Sequence, residues 1–194
     1  MSRISYINGL YKKHYEASVH LEDRGNQFAD GVYEVIPVRF SKLIDCNLHL
    51  ERLFKNINSL KIDFNLSNKT LKFIFERLIY LNKIKDGIIY LQVSRGVAKR
   101  DHAFPDFSIP TIFVTSRNQK LDKKLLQNGV KVVTTKDLRW AKCDIKTISL
   151  LPNVLAKQEA YENNAYEALL VDDESFINEG SSSNFWIVKD NIIY

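Results

Sequence analysis

The chain has 194 residues, 45% of them hydrophobic and 26% charged, and a net charge of +5. That suits one large or two small soluble domains that bury a core without disulfide or metal staples. Two cysteines, Cys46 and Cys143, are too few for a disulfide framework and sit in no metal-ligand spacing, so a reducing cytoplasm is expected and no metal.

In chain order, Met1 to Ser5 does not lead into an apolar signal core, and no apolar run approaches membrane-spanning length. Ile4–Ile7, Asn8-Gly9 and Leu10-Tyr11 predict a hairpin with a two-residue turn. A polar stretch, Glu22 to Asn26, precedes a strand from Val32 to Phe40. The spacing of Leu48, Leu53, Ile57 and Leu60 predicts one helix. Leu71, Ile74, Phe75, Leu78 and Ile79 predict a second, capped by Ser67 or Asn68. Ile88–Arg95 and Thr111–Ser116 read as buried strands, and Arg117 to Asp122 as a connector. A helical or irregular stretch leads to a strand over Val130–Thr135. A helix over Ser149–Asn163 tolerates Pro152 in its first turn. Short strands are expected at Glu167–Val171, Phe176–Glu179 and Asn184–Val188, and after an Asp190-Asn191 turn another opens at Ile192. A chain that stops at Tyr194, just inside a strand, reads as cut rather than finished.

Several groups have chemical potential, though singly each has an ordinary explanation. Lys146 lies in a moderately apolar run before a helix, where burial lowers an amine's pKa and frees it to form a Schiff base; it is also one of many lysines. Glu179-Gly180-Ser181-Ser182-Ser183-Asn184 offers amides and hydroxyls to an anionic group, or is a plain polar turn. Arg100 and His102, two apart on a loop, suit a carboxylate, or are solvated basic side chains. His49 and Arg52 share a helix face, with Arg52 able to reach a phosphate or a local acid. Tyr33, among Val32, Val35 and Val38, reads as a core tyrosine. The cations are scattered and interleaved with acids, which disfavours a nucleic-acid stripe. Phosphate-loop, hydrolase-elbow and zinc motifs are missing from the sequence.

In order, these strings resemble the class IV aminotransferases, which use pyridoxal 5'-phosphate (PLP). The resemblance runs through Glu22-Asp23-Arg24-Gly25 and Phe28 to Val35, then His49-Leu50-Glu51-Arg52-Leu53, then Cys143-Asp144-Ile145-Lys146. Leu155 to Ala160 and Glu179 to Asn184 complete it. It implies Lys146 as the lysine that holds PLP and shuttles the substrate proton, Glu179 beside the ring nitrogen, Arg52 on the phosphate and Tyr33 near the substrate carboxylate. Arg100 and His102 resemble the carboxylate trap of the D-amino acid aminotransferases, supplied across a homodimer. The implied reaction is transamination between a D-alanine-like D-amino acid and 2-oxoglutarate. Branched-chain L-amino acid transamination and aminodeoxychorismate lysis are alternatives within the family, and a non-catalytic basic anion-binding domain is one outside it.

Two departures stand out: Trp186 replaces a smaller aromatic, and family members run longer. The expected fold is α/β (α+β) with two domains, a small one over 1–118 and an incomplete PLP domain over 119–194, the active site lying between them and at a dimer interface. Small amino acids and 2-oxo acids are the expected partners, without nucleic acid or membrane.

Overall fold

A computed structural model describes residues 3–120 and 122–194. Two units emerge, one made of Met1–Leu121 and Asp144–Ser149, the other of Asp122–Cys143 and Leu150–Tyr194.

The first unit begins with the hairpin of β1 (Ile4–Ile7) and β2 (Leu10–Lys13). Asn8 and Gly9 form its turn at φ 44° and 91°, the left-handed conformation that a tight hairpin requires. A short helix α1 (Arg24–Phe28), strands β3 (Gly31–Arg39) and β4 (Lys42–Leu43), helices α2 (Cys46–Ser59) and α3 (Asn68–Leu81), and strands β5 (Gly87–Ser94) and β6 (Thr111–Asn118) follow. The sheet order is β2-β1-β6-β5-β3-β4, with antiparallel neighbours throughout.

Burial alternates along β3 as a half-covered strand dictates. Val32, Ile36 and Val38 join Leu50, Leu53 and Ile57 of α2, and Leu71, Ile74, Phe75, Leu78 and Ile79 of α3, in one apolar core. Tyr33 and Val35 occupy the alternate, half-buried positions.

The sequence and the structure differ locally. The polar stretch around Asp23 starts a helix, because the Asp23 carboxylate accepts from the Gly25 amide and caps α1. Leu48, part of the apolar spacing read for α2, is 64% exposed, and Leu50 takes its place in the core. Of the two caps considered for α3, Ser67 serves, accepting from the Thr70 amide.

The second unit has α4 (Lys123–Asn128), β7 (Val132–Lys136), α5 (Leu151–Glu162), β8 (Glu167–Val171), β9 (Ile177–Gly180), and a hairpin of β10 (Val188–Lys189) and β11 (Ile192–Ile193). Strand β8 pairs parallel with β7 and antiparallel with β9. Pro152 sits in the first turn of α5, where its missing N–H costs no helical bond. The expected strand over Asn184–Val188 is formed only at its end: Ile187 exchanges backbone bonds with Tyr194, β10 starts at Val188, and Phe185, Trp186 and Ile187 are exposed. Among the described residues no helix is long and apolar enough to cross a membrane, and no cluster of side chains has a metal-binding arrangement.

Candidate active site

Strand β4 pairs only with Val38 and Arg39, leaving the start of β3 with a vacant edge. The segment Asp144–Ser149 fills it. The Tyr33 amide donates to the Lys146 carbonyl and the Ile148 amide donates to the Gly31 carbonyl, each at 3.1 Å, and Val32 and Thr147 form the bridge between. Glycine is needed at position 31, since a Cβ there would meet the Val93 carbonyl oxygen at 2.6 Å and Ile148 Cδ1 at 3.2 Å. Lys146 is thus held by its backbone, and its Nζ lies 4.5 Å from the centroid of the Tyr33 ring. Tyr33 stacks on Tyr90 at 5.7 Å, and Tyr90 on Phe113 at 5.9 Å. Burial, then the neighbouring Tyr33, push the Tyr90 hydroxyl up to about 12, so it stays protonated. Among the described residues no carboxylate ion-pairs with Lys146. Tyr33 therefore stands beside the candidate amine and outside the apolar core where the sequence reading put it.

Arg52 and His49 share a face of α2, and both reach Glu34, a fully buried carboxylate on β3. Arg52 Nε and Nη2 donate to its two oxygens at 2.7 and 2.8 Å, and His49 Nδ1 lies 2.8 Å from Oε2. Burial alone would raise the pKa of Glu34, but hydrogen bonds and charge from Arg52 and His49 outweigh it and hold the pKa below the ordinary value. One edge of the Arg52 fork is committed to Glu34, while the side chain remains 48% exposed. It is a pre-oriented cation with an accessible surface.

Arg100 and His102 come together on the loop between β5 and β6. Both are exposed, and both lie on Phe28 of α1: the Arg100 guanidinium carbon is 4.8 Å from the ring centroid and the His102 ring 5.2 Å from it. Beneath them lies a buried network that the sequence reading missed. Asp30 Oδ2 accepts from Arg24 Nε at 2.8 Å and from Arg95 Nε at 2.7 Å. Nothing in hydrophobic periodicity marks it, because its partners are up to 65 positions apart.

In the second unit Glu179, at the end of β9, ion-pairs with Arg139, which is itself gripped by Asp137. The Arg139 guanidinium, then its other contacts, hold Asp137 far below the usual carboxylate range, and Asn178 donates to Asp137 as well. The serines after Glu179 bond to one carboxylate, with Ser181 buried and Ser182 and Ser183 exposed. The hydroxyls of Ser181, Ser182 and Ser183 all donate to the buried Glu167 carboxylate. Burial pushes that carboxyl up, yet the hydroxyls of Ser181 and Ser182, the Ala168 amide and the Ser183 hydroxyl outweigh it and lower the pKa to about 2. In this arrangement the three hydroxyls order the turn instead of presenting a free anion cradle. Arg139 and Glu167 went unremarked in the sequence; an acid opening an apolar strand, Glu167-Ala168-Leu169-Leu170-Val171, was the available signal.

Taken unit by unit, the donor chemistry suits PLP: the first has an amine on an aromatic face, with no carboxylate ion-paired to it among the described residues, and an arginine fixed by a buried acid, and the second has a carboxylate beside a guanidinium. The family model described as amino-transferase class IV covers residues 31–194. A D-alanine aminotransferase of Staphylococcus aureus strain MSSA476 is 41% identical over 190 residues, covering 97% of this chain and 67% of that protein. The chain thus spans about two thirds of that relative's length. In fold it is similar to the Escherichia coli branched-chain amino acid aminotransferase, with a TM-score of 0.88, 19% identity, and coverage of 100% of this chain and 67% of that one. A branched-chain amino acid aminotransferase from T.th., solved with pyridoxamine 5'-phosphate, gives a TM-score of 0.85 at 19% identity, again covering 100% and 67%.

Proposed function

The chain belongs to the class IV aminotransferases, and we propose that it is a PLP-dependent transaminase moving an amino group between a D-alanine-like D-amino acid and 2-oxoglutarate. The observation that carries this reading is Lys146, fixed by its own backbone bond to Tyr33 and by that of Ile148 to Gly31, with its Nζ on the Tyr33 ring. PLP, when bound, supplies the electron sink that makes the substrate α-proton removable. Lys146 Nζ holds the cofactor covalently and carries that proton. Its backbone attachment limits how far the amine swings, so the proton is taken from one face. Arg52 offers its exposed surface to the phosphate dianion, and Glu34 and His49 keep the guanidinium in place. Glu179 holds the proton on the ring nitrogen, with Arg139 orienting the carboxylate.

Arg100 and His102 hold the substrate α-carboxylate, with Tyr33 completing the grip across a homodimer. With the carboxylate fixed, the D-enantiomer turns its α-hydrogen toward the amine and the L-enantiomer its side chain. The 41% identity to a D-alanine aminotransferase supports this choice within the family.

The test has two arms. After borohydride reduction of the PLP-loaded protein, peptide mass analysis is expected to find the cofactor on Lys146, and Lys146→Ala to abolish turnover. Cofactor on another lysine overturns that assignment. D-Alanine is expected to outpace L-leucine as donor to 2-oxoglutarate; the reverse overturns the D-amino acid reading.

A further inference from the structure

The exposed pair Arg100 and His102 is built on an unusual support. Arg24, almost fully buried, pairs with Asp30 through Nε and sends its other nitrogens into the loop. Nη1 donates to the carbonyls of Asp101 at 2.6 Å and Ala103 at 3.2 Å, and Nη2 to that of His102 at 3.4 Å. Three consecutive carbonyls thus converge on one guanidinium. The loop also starts from α1: the Arg24 amide donates to the Gly96 carbonyl at 2.9 Å, and Asp23 bridges to Val97. Gly96 has φ +100°, and a Cβ there would lie 1.9 Å from the Ile109 carbonyl oxygen, so the loop can leave β5 on this path only with glycine.

Phe28, at the other end of α1, carries two guanidiniums at its ring, Arg24 and Arg100 each 4.8 Å from its centroid. A guanidinium donates only in its plane. An aromatic contact takes its face and leaves that plane open to a carboxylate. Arg100 Nη1 donates to Gln27 at 3.4 Å, and among the described residues no carboxylate ion-pairs with Arg100. By contrast Arg24 and Arg95 both ion-pair with Asp30.

We infer that Arg24 and Phe28 are positioning residues for carboxylate recognition: Arg24 sets the path of residues 101–103, and Phe28 sets the planes of Arg100 and His102. The inference rests on the reading of Arg100 and His102 as the carboxylate-holding pair. A long arginine on a free loop would have to freeze its rotamers on each binding event. Here α1 freezes them beforehand, so the cost is met in folding and not at the substrate.

The experiment compares D-alanine with D-alaninamide, which keeps the amine and lacks the carboxylate, in the PLP-loaded protein. Arg100→Gln is the benchmark and is expected to raise KM for D-alanine about ten- to hundredfold. Phe28→Leu keeps apolar bulk and removes the ring face; the expected rise is roughly two- to fivefold. Arg24→Lys keeps the charge but cannot span Asp30 and three carbonyls, and roughly tenfold or more is expected. In Phe28→Leu and Arg24→Lys, KM for D-alaninamide and kcat for D-alanine should hold steady, which general damage to the fold would not allow. Amide exchange at residues 101–103 should also speed up in Arg24→Lys and stay unchanged in Phe28→Leu. If Arg24→Lys does not fold, the half-buried Phe28→Leu decides alone. Should Arg100→Gln shift D-alanine selectively while Phe28→Leu and Arg24→Lys shift both donors equally or neither, the inference falls and the carboxylate reading stands. An unchanged D-alanine KM in Arg100→Gln sinks the carboxylate reading itself.

Discussion

Both units bury charged networks, but the first sets them beside large aliphatic and aromatic side chains and the second beside mostly small ones. Phe75, Leu78, Leu53, Ile36 and Leu91 are fully buried between the six-stranded sheet and its two helices. The corresponding cluster of the second unit is Ala156, Ala160, Ala168 and Leu170. Alanines let α5 lie close to β8 but withdraw little apolar area each. Around them stand two polar networks, Glu167 with its serines and Asp137-Arg139-Glu179. The lesson is that a unit short of apolar burial can be held by directional bonds, and directional bonds respond to pH where burial does not. Both tryptophans, Trp140 and Trp186, lie in the second unit, so their fluorescence reports it alone, whereas far-ultraviolet circular dichroism reports both.

The largest effect is expected from Phe75→Ala, which empties a fully buried site of the first unit and costs ~3–5 kcal/mol. In urea the dichroism transition should move to lower concentration while the tryptophan transition stays put. Movement of both together would mean that the two units unfold as one, and the contrast would fail.

Next comes acid. The Glu167 carboxyl has a pKa lowered from 4.5 to about 2 in the fold, so its contribution is complete above pH 4.5 and disappears as pH falls toward about 2. Tryptophan-monitored stability should decline over that window. Glu167→Gln should lose roughly 1–3 kcal/mol at neutral pH, and its deficit should vanish at the acid end. A deficit that persists unchanged to the acid end would show that the carboxylate's charge is not what orders the serine turn.

The smallest effect concerns a cap. Ser67→Ala removes the acceptor for the Thr70 amide at the start of α3 and should cost about 1 kcal/mol, read as a small shift in the dichroism transition only. A loss as large as that of Phe75→Ala would show that a single directional bond weighs as much in the first unit as a large buried side chain.

Much of the first unit was legible because its signals are local. The Asn8-Gly9 turn and the five-residue stripe of α3 each lie within one element, and each is found where the sequence puts it. Glu34 left a readable trace that was passed over: it occupies an inward position between Val32 and Ile36, where an acid needs partners, and His49 and Arg52 are three apart on the next helix. The Arg24-Asp30-Arg95 network left none, since charges meeting across long sequence separations follow no period. The apolar run Phe185-Trp186-Ile187 misled in the other direction. It has the composition of a strand, but only Ile187 pairs, exchanging backbone bonds with Tyr194 beside β10 and β11, and the regular strand starts at Val188.

The segment Asp144–Ser149 has a consequence for biosynthesis. The chain completes every strand of the six-stranded sheet by Asn118, passes into the second unit, and returns only at Asp144 to complete the edge at Gly31 and Tyr33. A nascent chain emerging from the ribosome in order therefore exposes an unfilled strand edge until Ile148 has left the exit tunnel. The amine proposed for catalysis arrives with the same short stretch that closes that edge. A nascent chain stalled between Asn118 and Asp144 would carry the whole sheet of the first unit and neither the closing segment nor the lysine.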